Sequence, residues 1–153
     1  LLVVRTMSKA RGLAGLRVGY AIGDAELIEA LTRVKDSFNS YPLDSVAQAG
    51  AAAAVRDEAY FEECCARIVA GREAMTEALV DHGFVVLPSK ANFIFARHPD
   101  RDGLALAAAL RDRAVLVRHF DKPRIAPYLR ITVGTDKDTA RLIAAVDDIL
   151  KND

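Results

Sequence analysis

The chain has 153 residues, 52% of them hydrophobic, enough for an ordinary buried core. Its 21 basic residues balance 21 acidic ones, so no global field draws it to nucleic acid or to an anionic membrane, and only a local cluster is left to bind anions. The longest apolar run, residues 49–55, is broken by Gly50 and is far too short to span a bilayer.

Taken in order, residues 1–5 read as a strand buried on both faces, because unbroken apolar character suits a parallel sheet. A loop of small residues follows over 6–16. Residues 17–22 read as a second strand, with Val18, Tyr20 and Ile22 on one face. Asp24 is a natural N-cap for a helix to about Lys35, with Leu27, Ile28, Leu31 and Val34 as its stripe. Asn39-Ser40-Tyr41-Pro42 is a loop, and Asp44 caps a helix through Val55. Asp57 opens a long helix that closes at Gly83. Beyond it the pattern changes. Residues 84–87 and 92–96 are short strands, Asp102 caps a helix to about Arg113, and residues 114–118 and 128–133 are strands. Thr135 with Asp138 resembles a capping box for a last helix burying Leu142, Ile143, Val146, Ile149 and Leu150. Phe61, Phe84, Phe93 and Phe95 are most simply core. Residues 1–50 thus look like the end of a parallel α/β domain, and 51–153 like a smaller α+β unit with its own sheet. The chain opens in mid-strand without Met, which points to a fragment of a longer protein. No basic stretch followed by an apolar run opens it, so no secretory signal is expected.

Cys64 and Cys65 are adjacent and lack metal or redox spacing; they read as small apolar helix residues in a reducing cytoplasm. His82, His98 and His119 are scattered, so no metal site is expected.

The most informative segment is Thr6-Met7-Ser8-Lys9-Ala10-Arg11-Gly12-Leu13-Ala14-Gly15-Leu16-Arg17-Val18-Gly19-Tyr20. It gathers a primary amine, two hydroxyls, guanidinium groups and three glycines just past an apolar strand. In open α/β sheets ligands bind beyond the carboxyl ends of strands. A lysine there can form a Schiff base with an aldehyde. Such chemistry needs a neutral amine, which neighbouring cations and desolvation favour; Arg11 and Arg17 are the cations nearest in sequence. Thr6, Ser8 and the planar fork of Arg17 suit a phosphate. No G-x-x-x-x-G-K-[ST] or G-x-G-x-x-G occurs, so nucleotide-binding readings lose their main support.

The string S-K-x-x-G-L-A-G-L-R-x-G-Y resembles the Schiff-base segment of fold-type I pyridoxal-phosphate (PLP) aminotransferases, most closely the histidinol-phosphate aminotransferases. The resemblance implies that Lys9 carries PLP and that Thr6, Ser8 and Arg17 bind its phosphate. Arg11 departs from the phenylalanine or tyrosine often found there. It also implies a three-layer αβα PLP-transferase fold. Residues 1–50 would end the large PLP-binding domain, and 51–153 would form the small C-terminal α+β domain.

Arg130 lies in Tyr128-Leu129-Arg130-Ile131-Thr132-Val133, and an arginine buried in an apolar strand calls for an anionic partner. The same position also suits an arginine that snorkels from a half-exposed strand or pairs with an internal carboxylate. By the resemblance, Arg130 clamps a substrate α-carboxylate. Arg118, with Arg124 as a rival, contacts a substrate phosphate. Asn39 and Tyr41 line the substrate pocket, often from the neighbouring subunit. Asn92 begins its strand in a structural turn. The implied reaction is transamination of L-histidinol phosphate with 2-oxoglutarate, giving imidazole-acetol phosphate and glutamate, in the histidine biosynthesis of a cytoplasmic homodimer. Aromatic-amino-acid aminotransferases and threonine-phosphate decarboxylases share much of the motif, and a non-catalytic folding or dimerisation unit is the alternative of another class. The resemblance covers nearly the whole chain but only the later part of the family's length. It therefore implies that the ring-stacking aromatic and the aspartate for the pyridine nitrogen lie outside these residues. On that reading this span alone turns over little or nothing, and apolar surface near residues 1–4 invites self-association.

Overall fold

A computed structural model of the chain describes residues 1–152. It divides into two compact units, Leu1–Cys65 and the residues from Ala66 onward.

In the first unit, β1 (Leu2–Thr6) pairs antiparallel with β2 (Gly19–Gly23) in a two-stranded sheet. The apolar run suggested a parallel neighbour, whereas the partner found here is antiparallel. A parallel connection needs a crossover of a dozen or more residues, usually helical; the segment between these strands holds only a short 3-10 turn, Ala14–Leu16. In the register of this hairpin Val3 faces Ile22 and Val4 faces Ala21. The second strand begins at Gly19 rather than Arg17, because Arg17 ends the 3-10 turn in a left-handed conformation with φ 55.

Two helices follow, α1 (Ala25–Phe38) and α2 (Ser45–Arg56), each capped as its sequence indicates. The Glu26 N–H donates to Asp24 Oδ1 at 3.0 Å, and the Ala47 N–H donates to Asp44 Oδ1 at 2.8 Å. A small core of Met7, Val18, Ala47 and Ala51, with Leu13, Leu16 and Leu43 packed on it, ties the hairpin loop to α2. The opening turns of α3 (Glu58–Asp81) group with this unit. Cys64 and Cys65 are half-buried free thiols on α3.

The second unit is built on a four-stranded antiparallel sheet in the order β3-β4-β6-β5. Its strands are β3 (Val85–Leu87), β4 (Phe93–Arg97), β5 (Arg118–His119) and β6 (Leu129–Thr132). With α4 (Gly103–Asp112) and α5 (Asp136–Asn152) it makes a mixed helix–sheet unit. Alternation along β4 and β6 sends Ile94, Ala96, Leu129 and Ile131 into one core with Met75, Leu79, Leu106, Leu110, Leu142, Val146 and Ile149. Each large side chain buried there contributes about 1.5–3 kcal/mol. The Thr135–Asp138 capping box forms: the Thr135 N–H donates to Asp138 Oδ2 at 2.8 Å, and the Asp138 N–H donates to Thr135 Oγ1 at 3.3 Å. Hydrogen bonds from the Thr135 hydroxyl and N–H hold the Asp138 carboxyl below its ordinary value.

Residues 114–117 are not the strand expected. Ala114 adopts φ 56, and the Val115 N–H bonds Leu110 O at 2.9 Å, so these residues terminate α4. Only Arg118 and His119 remain to pair. Among the described residues, no helix is long and apolar enough to cross a membrane.

Candidate active site

The hairpin of the first unit determines which groups meet around Lys9. The last strand pair is Thr6 with Gly19, and the Met7 N–H extends the ladder by donating to Val18 O at 3.0 Å. Ser8 and Arg17 are the next residues outward. Met7 and Val18 turn into the small core, so alternation leaves Thr6 and Ser8 on the other side of the strand. There the Ser8 N–H donates to Thr6 Oγ1 at 3.1 Å.

The chain then turns sharply. The Gly12 N–H donates to Lys9 O at 2.9 Å and closes a turn over residues 9–12, while the Leu13 N–H returns to Met7 O at 2.9 Å. Gly12 sits at φ +68, where a side chain is disfavoured. Arg17 folds back, its Nη1 donating to Ala14 O at 3.0 Å. A left-handed arginine costs about 1–2 kcal/mol, and this one stands at the mouth of the hairpin loop.

Lys9 opens the turn. Its side chain is exposed in this span of the protein. Among the described residues its amine has no hydrogen-bond or ion-pair partner, so no carboxylate holds it. Arg11, read as a cation beside the amine, is committed to the helices. Its Nη1 donates to Ala54 O at 2.5 Å and to Asp57 O at 3.2 Å, and its guanidinium lies 3.8 Å above the Phe61 ring centroid.

The backbone register thus places Thr6 and Ser8 on either side of the Met7–Val18 pair, with Arg17 next to Val18 and Lys9 next to Ser8, and no described contact joins the Arg17 guanidinium to the other three. Asn39 and Tyr41 lie in the loop after α1, where the Tyr41 N–H donates to Asn39 Oδ1 at 3.1 Å and the Tyr41 ring stands 93% exposed. No described contact joins these two residues to the lysine loop.

In the second unit, Arg118 of β5 and Arg130 of β6 are direct cross-strand partners. Both are exposed, on the sheet face opposite the core. Arg130 is therefore not buried in its apolar strand: β6 is covered on one side only, and Arg130 points from the other, as in the half-exposed alternative. Its guanidinium lies 5.5 Å from the Phe93 centroid and 5.6 Å from that of Phe120, while Arg118 lies 5.3 Å from Phe120. Among the described residues neither arginine has a carboxylate partner. Like charges directly opposite on adjacent strands repel, so this face favours an anion between them. Arg124 is exposed in the following loop.

The aromatic residues around the pair were missed as a site. Phe93 and Phe95 are half-buried on the arginine face, Phe95 stacked on Tyr128 at 5.0 Å, and only Phe84 of the four phenylalanines read as core is fully buried. The signal was available, since both alternate with Ile94 and Ala96 along one strand.

A family model described as aminotransferase class I and II matches residues 1–146. The chain is 64% identical over 150 residues to histidinol-phosphate aminotransferase 2 of Rhizobium meliloti, covering 98% of this chain and 43% of that protein. It is 65% identical over 147 residues to histidinol-phosphate aminotransferase 2 of Thiobacillus denitrificans, covering 95% and 41%. Among solved structures it resembles the histidinol-phosphate aminotransferase from Sinorhizobium meliloti in complex with pyridoxal-5'-phosphate. There the TM-score is 0.83 and the identity 27%, covering 98% of this chain and 41% of that one. The chain thus spans less than half the length of the curated relatives it matches. With a family model spanning nearly all its residues, the chain belongs to the class I and II aminotransferases.

Proposed function

We propose that these residues carry the cofactor lysine and the anion-binding arginines of a pyridoxal-phosphate-dependent aminotransferase. The reaction is transamination of L-histidinol phosphate with 2-oxoglutarate to imidazole-acetol phosphate and L-glutamate, a step of histidine biosynthesis, in a cytoplasmic homodimer. Residues 1–50 would close the large domain of a three-layer fold, and 51–153 would form its small domain. The observation that carries the reading is the exposed, carboxylate-free amine of Lys9 at the mouth of a hairpin shared with Thr6, Ser8 and Arg17. The names of the relatives favour the substrate.

The donor set fits the cofactor. A primary amine suits an aldehyde, and two hydroxyls with a guanidinium suit a phosphate dianion. When bound, the cofactor supplies an electron sink for carbanion chemistry at the substrate Cα. Lys9 would anchor it and, with its amine freed by the incoming substrate amine, would take the proton from Cα as general base and deliver it to the cofactor C4′ as general acid. Thr6, Ser8 and Arg17 hold the cofactor phosphate. Arg130 grips the carboxylate of glutamate or 2-oxoglutarate, Arg118 the phosphate of L-histidinol phosphate, and Asn39 and Tyr41 line the substrate pocket.

The test is a donor profile. A polypeptide carrying these residues at the length of the curated relatives is assayed for glutamate formation from 2-oxoglutarate. L-histidinol phosphate is expected to be the preferred amino donor over L-phenylalanine. Equal or better use of phenylalanine would replace the substrate, and no transfer from any amine would end the reading.

A further inference from the structure

We propose that Arg11 is a positioning residue: it braces the Lys9 turn against the corner between α2 and α3. Three contacts to three residues converge on its guanidinium. Nη1 donates to Ala54 O at 2.5 Å and to Asp57 O at 3.2 Å, and the guanidinium carbon lies 3.8 Å above the Phe61 ring. Ala54 lies in the last turn of α2, where carbonyls lack intrahelical donors and the helix end is negative. A cation that satisfies such a carbonyl and stacks on an aromatic face is held in both direction and distance.

Arg11 is the third residue of the turn over residues 9–12, whose closing bond runs from the Gly12 N–H to Lys9 O at 2.9 Å. Fixing its side chain therefore fixes the plane of the turn that presents Lys9. The other restraint on this loop is the small apolar cluster of Met7, Leu13, Leu16 and Val18 on α2. That cluster grips the two ends of the loop, and Arg11 grips its tip. Without the brace, the tip opens more often at its Gly12 and Leu13 hydrogen bonds and loses its orientation beside Thr6, Ser8 and Arg17.

The consequence for cofactor binding rests on the proposed role of Lys9, whereas the bracing itself does not, and two measurements separate them. The first is amide hydrogen exchange at Gly12 and Leu13 in the cofactor-free protein. Arg11→Ala is expected to speed it about ten-fold, the equivalent of one charge-assisted hydrogen bond, and an unchanged rate overturns the proposal. The second is pyridoxal-phosphate affinity by titration. Arg11→Ala is expected to weaken it about ten-fold, with Arg11→Lys intermediate, because an ammonium reaches the carbonyls but lacks the planar fork. Faster exchange with unaltered affinity would reduce Arg11 to a stability contact and also overturn the proposal. If Arg11→Ala does not fold, Phe61→Leu removes the stacked ring while keeping apolar bulk, and a smaller shift of both readings in the same direction is expected; no shift in either overturns the brace. A wild-type protein that takes up no pyridoxal phosphate at Lys9 refutes the parent reading, and that failure is recognised before any substitution is made.

Discussion

Gly12 and Gly15 offer a controlled comparison within the lysine loop. A Cβ built on either meets nothing within 4 Å, so neither substitution to alanine is opposed by packing. The two differ in backbone: Gly12 has φ +68, whereas Gly15 lies in the 3-10 turn without a positive φ. Alanine in the left-handed region costs about 1–2 kcal/mol. Replacing glycine also removes freedom from the unfolded chain, which returns about 0.4–1 kcal/mol. Gly12→Ala should therefore destabilise by about 0–1.5 kcal/mol, and Gly15→Ala should stabilise by about 0.4–1 kcal/mol. The gap between the variants, about 1–2 kcal/mol, is the quantity that matters. With a urea m-value of about 2 kcal/mol/M it separates their midpoints by about 0.5–1 M at constant m. The assay is urea unfolding followed by far-UV circular dichroism. Coincident midpoints would refute the turn geometry on which the presentation of Lys9 depends.

Three further outcomes are expected. Arg130→Lys keeps the charge but loses the bidentate fork, and should raise KM for glutamate about ten-fold or more; an unchanged KM would remove Arg130 from the substrate site. Leu79, 0% exposed beneath the four-stranded sheet, should cost about 2–5 kcal/mol on conversion to alanine, read from chemical denaturation. The depressed Asp138 carboxyl contributes stability above the ordinary carboxylate value near ~3.9, and loses it as pH falls through its lower folded value. Thermal melts between about pH 4 and pH 2 should therefore fall less steeply for Asp138→Asn than for the wild type, and parallel slopes would contradict the capping box.

Local chemistry was legible where it acts within a few residues. Asp24, Asp44 and Asp102 each cap the helix that their sequence announces, and Thr135 with Asp138 closes a capping box. What the residues alone did not disclose depends on partners distant in sequence. The apolar run at the start does not disclose that one neighbour of its strand is β2, antiparallel across a short connection. Residues 114–117 have strand composition, yet ending α4 in a Schellman-type turn uses them first. Arg11 reads as a loop cation until Ala54 and Asp57, more than forty residues away, are seen to accept from it. The face of Arg118 and Arg130 follows from strand alternation, which also carries Phe93 there, but Phe120 reaches the pair from beyond the strand end.

The account stands on the amine of Lys9, and covalent capture tests it most directly. The protein is mixed with pyridoxal phosphate, reduced with borohydride, digested, and mapped by mass spectrometry. A phosphopyridoxyl group on Lys9 in preference to the other lysines, lost in Lys9→Ala, is the predicted result. A label spread over exposed lysines, or one that persists unchanged in Lys9→Ala, would contradict it.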